Sequence, residues 1–140
     1  MREILFRGKS VTDGRWVFGD LSNYGDCKTI TIVKDFLIID SCEVIPETVG
    51  QYTGLKDKSG TRIFEGDIVK VADEYIDYAI WANGCFCMAR QIMFYEFTYQ
   101  DSNRMEVIGN VYDNQEILKG ERENNGVYVL SETKEETNNG

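Results

Sequence analysis

VGQYTGLKDKSGTRIFEGDIVKV, residues 49–71, alternates turn residues with short β-branched and aromatic runs, and its reading decides the fold. Asp57-Lys58-Ser59-Gly60 stands between Gln51-Tyr52-Thr53 and Arg62-Ile63-Phe64, the pattern of a hairpin. An aspartate side chain accepts from the backbone two residues on, and a glycine takes a positive φ without steric cost, so Asp57 and Gly60 each have a mechanical reason to be there. Glu65-Gly66-Asp67 makes a second turn, after which Ile68-Val69-Lys70-Val71 opens a new strand. A Gly-Asp turn running into such a strand suits the first long strand of a small SH3-like barrel. The expected fold is therefore all-β, with residues 48–118 forming an SH3-like barrel subdomain.

Outward from that stretch the strand pattern continues on both sides. Towards the N-terminus, residues 4–7 and 15–21 flank Val11-Thr12-Asp13-Gly14, whose Asp-Gly pair signals a hairpin turn. Lys28 to Val33 alternates with Ile30 and Ile32 on one face, and Phe36–Ile39 and Cys42–Ile45 read as two further short strands. Pro46-Glu47 breaks the pattern, so residues 1–47 form an expected N-terminal β subdomain. Towards the C-terminus, residues 76–81 and 85–90 flank Asn83-Gly84, a strong hairpin signal. Residues 92–99 are apolar on both faces, as in a central strand or one that covers a partner. Residues 106–112 supply a last core strand and 114–119 one helical turn. From residue 119 charged and amide residues dominate; Val127 to Leu130 is an apolar island, and 131–140 is expected to be a disordered polar tail.

The central string Val49-Gly50-Gln51-Tyr52-Thr53-Gly54-Leu55, with Asp57, Gly60 and Ile63-Phe64-Glu65-Gly66-Asp67-Ile68-Val69, resembles the signature of the YopX family of bacteriophages and prophages. The opening Met1-Arg2-Glu3-Ile4 with Phe6-Arg7, followed by Gly14 to Val17 and Gly19, is similar to that family's start. Glu106 to Asn114 with Glu116 and Leu118 is similar to its end. The resemblance spans residues 1 to about 118 and implies a small, largely β, phage-encoded protein of a family without an established biochemical activity. Residues 119–140 match nothing in it.

Composition removes several chemistries. The 140-residue chain carries a net charge of −9 and no histidine. Its acidity repels nucleic acid and anionic membranes, and its lysines and arginines are scattered rather than gathered into a patch. No apolar run approaches the ~20 residues that span a bilayer, and the start lacks the apolar region of a signal peptide. A cytoplasmic location in a bacterial host is expected, with Cys27, Cys42, Cys85 and Cys87 reduced. Their spacings contain no Cys-x-x-Cys pair, so buried thiols are favoured over zinc. Gly8-Lys9-Ser10 ends like a phosphate-binding loop, but Glu3 stands where that loop needs glycine.

Without histidine the Ser-His-Asp and Cys-His nucleophile arrangements are gone. The function expected is non-enzymatic, needs no cofactor, and works by protein–protein contact or self-assembly as a homo-oligomer, with a host protein as a possible partner. The candidate interaction surface is Tyr52, Asp57, Glu65, Asp67, Tyr95, Phe97 and Tyr99. Two alternatives come from other classes. Trp16 and Trp81, with Tyr52, Tyr95, Phe97 and Tyr99, could stack bases, although core packing accounts for them at least as well, or the acidic surface could inhibit a nucleic-acid enzyme by presenting carboxylates in place of phosphates. Asp57, Glu65 and Asp67 could instead hold a divalent ion for a metal-dependent enzyme, although Asp57 and Asp67 are better accounted for as turn residues and Glu65 as a solvated one.

Overall fold

The computed structural model describes residues 2–82, 84–89 and 102–119, and these are nearly all β. The chain forms two compact units, Met1–Gly54 and Leu55–Gly140. Pro46–Thr48, the expected break, is a 3-10 turn inside the first of them. There Thr48 Oγ1 accepts the backbone N–H of Lys9 at 2.9 Å and donates to the Ile45 carbonyl at 2.7 Å.

The first unit contains β1 (Phe6–Lys9), β2 (Trp16–Tyr24), β3 (Cys27–Lys34), β4 (Leu37–Val44) and the start of β5 (Gly50–Lys56). Their order in the sheet is β4-β3-β2-β1-β5. The Asp13-Gly14 turn forms as expected: Asp13 Oδ1 accepts the backbone N–H of Arg15 at 3.1 Å, and Gly14 has φ +75°. That bond, and the nearby Arg15 charge, hold the Asp13 carboxyl below its usual range. Val17, Ile30 and Val44 make the core, with Phe6, Leu21, Cys42 and Val49 packed on it. At the far end of β4 the sheet curls back on itself, because Ser10 bridges Val44, Val11 N–H donates to Glu43 O and Ile45 N–H donates to Lys9 O.

Two readings of this region are corrected. Phe36–Ile39 and Cys42–Ile45 are not two strands; β4 is one strand, and Phe36 belongs to the turn before it. Asp35 and Phe36 have φ 54° and 66° between the paired Lys34 and Leu37, a two-residue turn with both central residues left-handed. That conformation matches the twist of a hairpin, and it is ordinarily made with Asn-Gly or Asp-Gly rather than with a bulky second residue.

In the second unit β5 runs on to Lys56 and turns back as β6 (Arg62–Phe64). β7 (Asp67–Val71), β8 (Tyr75–Ala82) and β9 (Cys85–Met88) form a meander, and β10 (Met105–Asn110) returns on the other side of β7, giving the order β10-β7-β8-β9. Ala72 and Asp73 repeat the left-handed pair at the β7–β8 turn. This sheet is covered on both faces. Val69, Val71, Ala79, Met88 and Met105 pack with Ile63 on one side. Ile68, Tyr78 and Leu118 pack on the other, Leu118 being carried there by the helical turn at 115–119. Each fully buried side chain of this size contributes about 1.5–3 kcal/mol. No closed barrel is present among the described residues, so the SH3-like expectation stands at the level of an all-β unit. The run at 92–99 and the island at 127–130 lie outside the described residues. Among the described residues no helix is long and apolar enough to cross a membrane.

Candidate interaction surface

Four of the seven residues expected to form a surface are described, and three of these are largely occupied with the fold. Tyr52 is buried at 5% exposure in β5, where its N–H donates to the Leu5 carbonyl at 2.8 Å. Asp57 is equally buried. Its Oδ1 accepts the N–H groups of Ser59 and Thr61, both at 2.9 Å, and its Oδ2 accepts that of Val107 at 2.9 Å. The hairpin turn is thereby tied to β10, a link strengthened by Lys58 N–H donating to the Met105 carbonyl. Asp67 Oδ2 accepts the Phe64 N–H at 2.7 Å and closes the second turn. Glu65 is half-buried between them. Tyr95, Phe97 and Tyr99 lie outside the described residues.

The late part of the sequence signature has the same character. Asn110 Oδ1 accepts from Tyr112 and Asp113, while Asn110 N–H donates to Asn114 Oδ1. Gly109 is needed there, since a Cβ would fall 2.6 Å from that same Asn114 oxygen. Residues that carry the resemblance are thus turn pins rather than an open site. Among the described residues no three His, Cys, Asp or Glu side chains are grouped so as to hold a metal ion.

The two tryptophans differ. The Trp16 ring meets the Arg7 guanidinium, 4.5 Å from its centroid, and Lys9 at 5.7 Å, so it already makes cation–π contacts within its own sheet. Trp81 is more than half exposed and meets Phe86 edge to face at 4.8 Å. The four cysteines are free. Cys87 is buried, and desolvation, with lesser help from Cys85 and Asp77, pushes its thiol up from the ordinary value.

The surface that sequence reasoning missed is the tip of the β3–β4 hairpin. Phe36 is fully exposed at 101%, Leu37, Ile38 and Ile39 are exposed at 67%, 69% and 58%, and Val33 is half exposed beside them. A contiguous apolar patch of this kind marks an interaction site more often than scattered exposed side chains do. The available signal was the unbroken apolar run Phe36-Leu37-Ile38-Ile39, which has no alternation to assign it an inner and an outer face.

A family model described as YopX protein matches residues 5–119. Among solved structures, the crystal structure of protein EF1440 from Enterococcus faecalis is similar, with a TM-score of 0.53 and 23% sequence identity, the match covering 84% of this chain and 99% of that one. At that identity the likeness concerns the fold alone. No curated protein matches.

Proposed function

The chain belongs to the YopX family, and we propose that it is a non-enzymatic accessory protein that works by protein–protein contact, chiefly by self-assembly. One observation carries this reading: the hairpin tip of Val33 and Phe36 to Ile39 holds five large apolar side chains in water. Burying such side chains against a partner recovers hydrophobic free energy that the isolated chain leaves unused. The engagement of Asp57 and Asp67 by backbone N–H groups weighs against a carboxylate metal site, because those oxygens are already serving as acceptors. Within the same proposal the second unit is an SH3-like barrel, a reading supported by the β7–β8–β9 meander and the return of β10 beside β7. Its setting, by family resemblance, is a phage or prophage acting in the bacterial cytoplasm.

The test is capture with a tagged copy, co-expressed with an untagged one, followed by the mass of the complex. Retention of the untagged copy at a multiple of 16.1 kDa is the expected result. A tagged protein recovered alone, as a monomer, would overturn it.

A further inference from the structure

The tip is more than an apolar patch; it is an incomplete sheet. The last paired residues of β2 and β3 are Asp20 and Thr31, and from Gly19 backwards β2 pairs with β1 instead. At that crossing a Cβ on residue 19 would fall 2.3 Å from the Thr31 carbonyl oxygen. Residues 32–40 therefore continue past β2 as a two-stranded ribbon, with β4 on the outer edge of the sheet. Two-stranded ribbons are marginal in water, and three or more strands with an apolar face are needed for stability. Sheet edges are normally blunted with lysine, proline or a bulge. Here β4 has neither lysine nor proline, and the one such device it carries is the register shift that leaves Ile39 as an extra residue.

We propose that two copies of the chain pair antiparallel through their β4 edges, about a two-fold axis at Ile38 and Ile39, so that two ribbons become one four-stranded sheet. This deepens the self-assembly reading and rests on it. A second copy fits the edge for three reasons. The apolar pair Ile38-Ile39 falls opposite the same pair reversed, which is the self-complementarity that a two-fold contact requires. Residues 32–40 carry one net negative charge, Lys34 offsetting Asp35 and leaving Asp40, so two tips meet with little repulsion and carry no dense charge that would select an acidic or basic stranger. The first unit holds six basic and eight acidic residues, −2, and the second holds the remaining −7 of the chain's −9, so contact through the first unit involves the less charged part. Charge also sets the register. Centring the pair on Asp40 would place two carboxylates directly opposite, whereas the axis at Ile38 and Ile39 sets Asp40 against an apolar residue.

Sedimentation velocity of the full chain at micromolar concentration tests the proposal, with Ile38→Lys as the disrupting variant and Ile4→Lys, also exposed, as the control. The wild type and Ile4→Lys are expected to sediment at twice 16.1 kDa, and Ile38→Lys to dimerise at least tenfold more weakly, with thermal unfolding that matches wild type at concentrations where both are monomeric. Assembly that survives Ile38→Lys would overturn the β4 edge while leaving self-assembly standing; a monomeric wild type would overturn both, even if a foreign protein is captured on the tip. Amide exchange on the wild type provides a reading that needs no variant. Protection of residues 37–40 should rise with protein concentration, and protection that does not depend on concentration would overturn the pairing.

Discussion

Asp57 Oδ2 accepts the backbone N–H of Val107 at 2.9 Å, across fifty residues of chain, while the other oxygen of the same carboxylate holds the Ser59 and Thr61 N–H groups. One buried side chain thus fixes both a local turn and its attachment to β10. Replacing it with alanine strands three donors at once, and hydrogen bonds to a charged group are each worth about 1.5–3 kcal/mol. Asp57→Ala should lower stability by roughly 3–5 kcal/mol on that basis, with some donors recovering water. Asp57→Asn keeps one acceptor and should cost less. Urea unfolding of the two variants checks the order, and equal losses would contradict it.

Gly66 and Gly60 separate backbone strain from crowding. Both have a left-handed backbone, φ +90° and +88°. A Cβ at Gly60 meets open space, while one at Gly66 would lie 3.0 Å from Tyr112 Cε2. Gly60→Ala should cost about 1 kcal/mol through conformation alone. Gly66→Ala should cost more, on the order of 2 kcal/mol, because Tyr112 must also move. Thermal unfolding of both variants gives the comparison.

The Asp35-Phe36 turn puts stability and association in opposition. Asn-Gly suits two left-handed residues better, so the double variant Asp35→Asn, Phe36→Gly should be as stable as wild type or gain up to about 1 kcal/mol. It also removes the most exposed aromatic of the tip, and its self-association should be weaker. Calorimetry and sedimentation on one sample would show the two effects together. The stability comparison belongs at concentrations where both proteins are monomeric, and a loss there would overturn the turn argument.

Thiol reactivity should follow burial. Cys27 is exposed and Cys87 buried with a raised pKa, so an aromatic disulfide reagent at neutral pH should modify Cys27 first and Cys87 last. The sign of the pH effect follows from the same shift. With the folded pKa above the unfolded one, the stability contributed by the neutral thiol is complete below the ordinary value of 9.0 and is lost as pH rises through the folded value. Unfolding of wild type and Cys87→Ala from pH 8 to pH 10 should show the steeper decline in wild type.

Local turn chemistry was legible in the chain, and anything decided by distant cover was not. Asp13-Gly14 and Asp57 to Gly60 announced their turns because the residues that make them are the ones turns favour. Asp35-Phe36 and Ala72-Asp73 adopt the same left-handed geometry without that composition, imposed by the strands they join, and so Phe36 read as the start of a strand. Tyr52 and Asp57 read as surface because a motif invites that view, yet both are buried. Conversely, the apolar run at 36–39 read as one more short strand and its exposure went unnoticed, since a sequence states that side chains are apolar but not whether a third strand arrives to cover them.

The span between Asp57 and Val107 also has a meaning in time. A ribosome adds about 5–20 residues each second, so the turn at Asp57 is synthesised roughly 3–10 s before the amide that will complete its carboxylate. Through that interval the β10 side of β7 has no neighbour, and Val69 and Val71 lack the Met105 that later packs against them. The second unit therefore cannot finish folding until β10 has been made, and a message cut short before β10 would deliver a chain whose central motif is present in full and still unable to hold its turn to the sheet.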